Sequence, residues 1–359
     1  MTDAAPPPAK RESRPSAVKP VLIIAIFIVV SSLPIIALMF TPMGPGAGAA
    51  ALGIIATAMG IVVGGIRRGF HVMVWNIIAI GLCPIGLLYP AIGVMIFVIL
   101  GALTGLAAYR GMDTPIFTLS VLVGITMLNP PALTAAQVSD GVTVTPTYIL
   151  MLTGVTAIGA VWVFLFMSAI HKKLPHPPLA PLHRESAMVY GATLALLTGT
   201  AAAVALTWFP YSLTGWVILT IYVIFRPVYK GDTVVHGMHR RVINRIIGTV
   251  GGVVIAGAVA YFITNANALI LLGIVFFVAA GSRQVIGAPY WQFVLFLTPA
   301  VIFMTSSGVH VDRVGLVRLA CTAIGIVMAL GALEFNRRFT FPWIAESKRL
   351  ESAHASRDA

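Results

Sequence analysis

Arg318 carries the sharpest chemical possibility in this sequence. It stands in the run VGLVRLACTAIG, about one turn inside an apolar stretch. A guanidinium stays protonated at physiological pH and presents its donors in a planar fork that fits a carboxylate. In apolar surroundings it must contact an anion, pair with an acid or snorkel to a polar boundary. The sequence leaves these readings open. Arg245 opens another apolar stretch with the same ambiguity. Gly248, Thr249 and Gly252 follow it at helical spacing, a small-residue face that lets a neighbouring helix approach closely. Asp113, Asp312 and Glu334 are the only acids inside or next to apolar stretches, and they are the candidates for proton coupling. All three lie near stretch ends, where solvation or ion pairing is the competing role. Glu334 precedes Arg337 and Arg338, which favours pairing there, and Asp312 lies six residues before Arg318 and could pair with it.

The elements that must position these residues follow from composition. The chain has 359 residues, 58% hydrophobic and 9% charged, with a mean hydropathy of +0.97. A soluble domain carries about 25% charged residues, so this chain cannot cover its surface for water and needs a lipid bilayer around it. Apolar runs of roughly 18–22 residues recur throughout, the length a helix needs to cross the hydrocarbon. Alternating strand patterns are absent, so the expected class is an all-α polytopic membrane protein. The net charge of +12 sits in short loops, where it sets topology rather than binding nucleic acid. Cys83 and Cys321 fall inside apolar runs and read as small packing residues. There is no Walker A motif, no metal-ligand cluster and no catalytic signature, so no cofactor, no metal and no enzymatic activity are expected.

The pattern predicts about twelve spans, at 20–40, 47–66, 70–88, 91–109, 115–132, 147–170, 187–208, 212–228, 246–264, 267–281, 287–306 and 314–335. The tenth is short enough to suggest a tilted or partly buried helix. Tails at 1–19 and 336–359 and a Pro-rich linker at 171–186 lie outside these spans. Of the 23 Lys and Arg residues, all but Arg313 and Arg318 fall on one side of this arrangement. By the positive-inside rule both termini are cytoplasmic. The first and seventh spans begin about 166 residues apart, as do the sixth and twelfth. The chain therefore reads as two six-helix repeats, 20–170 and 187–335, in the same orientation.

The pattern Trp216-x-x-Leu219-Thr220, then Arg226-Pro227, a basic loop, and Arg245-x-x-Gly248-Thr249-x-x-Gly252 resembles the fusaric acid resistance (FUSC) superfamily. That group includes bacterial aromatic acid exporters and plant aluminium-activated malate transporters. The run YWQFVLFLTP at 290–299 resembles the family's fifth helix, and Arg318-x-x-Cys321-Thr322-x-x-Gly325 is similar to its sixth-helix pattern. The resemblance covers roughly 212–335 and is weak over the first half, where IRRGFHVMVWNII lacks the Gly-Thr pair. Larger bacterial members carry a soluble cytoplasmic domain between the halves, which this chain replaces with its short linker. The resemblance implies a conduit for organic anions, with Arg226, Arg245, Thr249, Arg283 and Arg318 along the substrate path and Gly248, Gly252 and Gly325 at helix contacts.

The functional expectation is a secondary exporter of small organic compounds, aromatic or otherwise weakly acidic, in the plasma (inner) membrane. The resemblance and the missing ATP site suggest the proton gradient as its drive. The alternatives are an organic-anion channel, or a non-transport scaffold or accessory subunit of an envelope complex. Oligomeric state is left open.

Overall fold

The computed structural model describes residues 18–170, 181–209, 215–225, 234–286, 288–305 and 311–340. The described residues form helices and no strand. In order they are α1 (Val18–Ser31), α2 (Leu33–Met39), a 3-10 turn (Gly44–Ala49), α3 (Ala50–Leu82), α4 (Ile85–Leu88), α5 (Pro90–Tyr109), α6 (Asp113–Leu128) and α7 (Ala135–Asp140). There follow α8 (Pro146–Ile170), α9 (Arg184–Trp208), α10 (Gly215–Ile224), α11 (Val234–Phe262), α12 (Ala266–Val285), α13 (Tyr290–Thr305), α14 (Val311–Phe335) and a π turn (Asn336–Thr340). Among the described residues, six helical stretches are long and apolar enough to cross a membrane. The chain is an all-α, multi-pass membrane protein.

One of those stretches, Gly44–Leu88, is 45 residues long. Straight, it would reach about 68 Å, twice the hydrocarbon thickness. It is not straight. Gly65 has φ 73° and ψ −179°, a backbone conformation closed to other residues, and the chain reverses there. Asn76 Nδ2 accordingly donates to the Leu52 carbonyl at 3.1 Å, although an unbroken helix would hold them about 36 Å apart. α3 is thus a hairpin with arms 50–64 and 66–82. The reversal falls two residues before Arg67 and Arg68, which leaves both exposed at the turn.

Other boundaries moved for local reasons. The first expected span breaks at Ser32, because Pro34 supplies no amide to continue the ladder. The fifth stops at Leu128, since Pro130 drives Asn129 out of the helical region, to φ −142° and ψ 73°. The ninth starts at Val234 rather than at 246. Arg240, Arg241 and Arg245, expected in or at the edge of a basic loop, therefore lie on a helix. No proline separates residues 228 and 288, and arginine, methionine and isoleucine are good or acceptable helix formers. The tenth is 20 residues long, four residues longer at its end than expected, and its apolar stretch Ala268–Arg283 remains shorter than the six spanning stretches.

The packing follows a repeated scheme. The first arm of α3 packs on α8 in the first half, and α10 packs on α14 in the second. Across the halves, α9 lies on α5, and α1 lies on α12. The short runs Thr156-Ala157-Ile158-Gly159 and Thr322-Ala323-Ile324-Gly325 are identical and 166 residues apart. Gly159 faces the Ala50 backbone, and Gly325 faces Thr220 and the Val217 carbonyl. The same tetrapeptide thus makes the same kind of close contact in each half.

α10 is buried on all sides, from Gly215 through Trp216, Ile218, Thr220, Ile221 and Ile224. It sits between α6 and α14. α11 and α14 show the polarity that lipid imposes. On α11, Ile243, Ile246, Ile247, Val250 and Val254 are exposed, while Arg245, Thr249 and Ala256 are buried. On α14, Leu316, Ile324 and Val327 are exposed, while Arg318 and Thr322 are buried. The apolar faces look outward and the polar faces inward, the reverse of a soluble helix.

Candidate functional site

Two of the charged candidates separate from all other arginines whose side chains are described. Arg67, Arg68, Arg110, Arg184, Arg240, Arg283, Arg337 and Arg338 are exposed, and Arg241 is half-buried. Arg245 and Arg318 are each 1% exposed and are the largest fully buried side chains in the structure. Turns and the terminal stretches of helices account for the exposed set. Burial of the other two needs a separate cause, because a guanidinium in a low-dielectric interior is costly.

Four helices build this site. Trp216 and Thr220 lie one turn apart on α10, Arg245 and Thr249 one turn apart on α11, and Arg318 and Thr322 one turn apart on α14. The guanidinium carbon of Arg318 sits 4.2 Å from the centre of the Trp216 ring. That distance is well inside cation–π range, so the indole covers one face of the cation. The edge of the guanidinium remains. Its Nε, NH1 and NH2 are buried and have no hydrogen-bond partner, and Arg245 Nε is in the same condition. Among the described residues, the groups that act electrostatically on Arg318 are Arg245, Tyr290 and Cys321, none of them a carboxylate.

Three threonine hydroxyls lie on the same helices or on the helix packed against them. Thr249 and Thr322 follow the two arginines by one turn, and Thr298 on α13 lies against Gly252 of α11. The Oγ1 atoms of Thr249, Thr298 and Thr322 are buried and unpartnered. Thr220, by contrast, donates to the Trp216 carbonyl at 2.8 Å. The three hydroxyls and two guanidiniums are thus buried donors on four neighbouring helices.

The glycines fix the distances between these helices. A Cβ on Gly248 would stand 2.7 Å from the Trp291 carbonyl, and one on Gly252 would stand 2.5 Å from Thr298 Cβ. On Gly325 it would stand 2.7 Å from Thr220 Cβ. These approaches bring α13 onto α11 and α14 onto α10, which sets Arg245 and Arg318 toward a common interior.

The remaining candidates lie apart. Arg283, near the end of α12, is exposed and 5.7 Å from the Phe296 ring centre. Asp113 occupies the first turn of α6, where a carboxylate complements the helix N-terminus. Glu334 accepts from Arg337 at 3.0 Å and Arg338 at 2.6 Å on an exposed surface. Asp312 is on α14, but its side chain lies outside the described residues, as does Arg226 entirely. Among the described residues, no cluster of His, Cys, Asp and Glu could hold a metal ion.

Residues 199–332, which carry α10, α11, Arg245, Trp216 and Arg318, match the family model described as fusaric acid resistance protein-like. This part of the chain is thus similar to the fusaric acid resistance family. No curated protein and no solved structure matches the chain. The buried site lies wholly inside this matched region, 199–332.

Both arginines stand out in the sequence, whereas the side chain that orients one of them does not. Trp216 stood only as part of a family pattern, although an indole one helix away from a lone arginine is a recurrent partner. The TAIG repeat would have aligned the halves by residue. In that alignment Leu152, buried and apolar, stands where Arg318 stands, and Ala50 stands where Trp216 stands. The first half keeps the packing frame without the charge.

Proposed function

We propose that the chain is a plasma-membrane (inner-membrane) secondary transporter that exports small organic anions, aromatic or otherwise weakly acidic. Its twelve crossings form two parallel six-helix repeats with both termini cytoplasmic. The observation that carries this reading is Arg318: buried, covered on one face by Trp216, and unpartnered on its donor edge. That edge fits a carboxylate in two parallel hydrogen bonds. The reciprocal packing of α9 on α5 and α1 on α12 supports the two-repeat arrangement.

In this mechanism the exposed cytoplasmic arginines, Arg240 and Arg283 among them, raise the local anion concentration at the entrance. The anion then exchanges its hydration for Arg318, Arg245 and the free hydroxyls of Thr249 and Thr322. Trp216 holds the Arg318 guanidinium flat, so that its edge rather than its face meets the substrate. The glycine contacts keep the helices close enough for both arginines to reach one ligand.

The test is flux of radiolabelled 4-hydroxybenzoate into inverted membrane vesicles containing the full chain. Concentrative uptake above vesicles lacking it is expected. No protein-dependent flux would count against export of aromatic carboxylates. Currents far beyond carrier turnover would instead favour a channel.

A further inference from the structure

The charge balance of the site bears on what the transporter carries on its return. Arg245 and Arg318 are both 1% exposed, and each lies within the electrostatic reach of the other. Guanidiniums do not deprotonate in proteins, so both charges persist. The ion pairs among described residues join Glu334 to Arg337 and Arg338, at the exposed end of α14, and none involves Arg245 or Arg318. Tyr290 and Cys321, the other groups acting on Arg318, are not carboxylates. The three threonine hydroxyls can donate to an anion but supply no charge of their own.

Leaving two like charges without an anion in such an interior is costly for each ion, and their mutual repulsion adds to it. An empty site is therefore a high-energy state. With an anion present, the same groups become five sets of satisfied donors. A transport cycle passes the site from one side of the membrane to the other twice. On the outward pass the organic anion neutralises it. On the inward pass something else must.

We propose that the site works by anion exchange, releasing an organic anion outside and taking in a small inorganic anion for the return. The proposal rests on the export reading and specifies its coupling: the counter-anion, rather than a proton on a carboxylate, completes the cycle. The symmetric position in the first half supports a single exchange site per chain, because Leu152 there carries no charge to neutralise.

The experiment uses the full chain reconstituted in proteoliposomes loaded with radiolabelled 4-hydroxybenzoate, with the membrane potential clamped at zero by potassium and valinomycin. Efflux is measured into potassium chloride or into the potassium salt of dextran sulfate, a polyanion too large to enter. Exchange predicts efflux slower by on the order of 100-fold in dextran sulfate, since the empty site must cross with its charges bare. It also predicts protein-dependent entry of labelled chloride only when 4-hydroxybenzoate is inside. Equal efflux rates in the two media would overturn exchange and leave export standing. No protein-dependent efflux in either medium would overturn the export reading for aromatic carboxylates and exchange with it.

Discussion

Arg318 lies over the ring of Trp216, 4.2 Å from its centre, with its three nitrogens buried and unbonded. The indole satisfies the face of the cation and leaves the edge for a ligand. Replacing Trp216 by leucine removes a contact worth about 0.5–2 kcal/mol while keeping an apolar side chain. The expected result is a substrate KM higher by about 2- to 30-fold with the protein still inserted. Flux measured across a concentration series in vesicles checks it.

Substituting Arg318 by leucine gives opposite outcomes for stability and function. An unpaired buried charge is lost, and a side chain that the first half already carries at the corresponding position, Leu152, takes its place. The variant is expected to be more stable by on the order of 1 kcal/mol or more, and to transport nothing. Thermal unfolding in detergent, followed beside vesicle flux, separates the two effects. A variant that is merely misfolded would lose both.

The helix contacts predict a contrast between glycines on one helix. A methyl group at Gly248 meets the Trp291 carbonyl and the Val294 side chain, and one at Gly257 meets nothing within 4 Å. Gly248→Ala is expected to cost about 1–3 kcal/mol, as overpacking does. Gly257→Ala should leave the protein unchanged or slightly more stable. Detergent-solubilised unfolding temperatures for the two variants provide the comparison.

Much of this architecture is legible in the sequence, because lipid imposes simple rules. Runs of apolar residues long enough to cross the hydrocarbon mark the helices, and prolines at 34 and 130 explain where two of them stop. The hairpin within α3 is legible as the two spans 47–66 and 70–88, but glycine alone does not reveal that φ turns positive at Gly65 rather than at Gly64 or Gly69. Charge misplaced the start of α11. Basic residues signal a cytoplasmic boundary, but they do not stop a helix, and the backbone continues from Val234 through Arg245.

The site was legible in its cations and obscure in its geometry. Arg318 and Arg245 stand out as charges in apolar runs, and both are buried. Their separation from Arg283, which is exposed, depends on which face of a helix is covered, and α12 carries its arginine near its end where no other helix encloses it. Glu334 stood as a proton-coupling candidate, and the structure places it in an exposed pair with Arg337 and Arg338. Glu334→Gln is therefore expected to leave flux and its dependence on external pH unchanged, which a pH series on vesicle efflux checks.

Thr249 offers a finer probe of the binding site. Its hydroxyl is buried without a partner, so Thr249→Val removes an unsatisfied polar group at nearly constant shape. Stability should hold or rise slightly, because no hydrogen bond is lost. Substrate affinity should fall by about 3- to 10-fold if the hydroxyl donates to the bound anion, the usual worth of one hydrogen bond. Competition binding to the purified protein measures it.

The central claim is that a substrate anion meets the buried Arg318 edge. The most direct measurement is 4-hydroxybenzoate flux in vesicles carrying Arg318→Leu at wild-type abundance, with folding verified by unfolding temperature. The account predicts flux at the background of vesicles without the protein. Flux at the wild-type rate from a folded Arg318→Leu variant would contradict it.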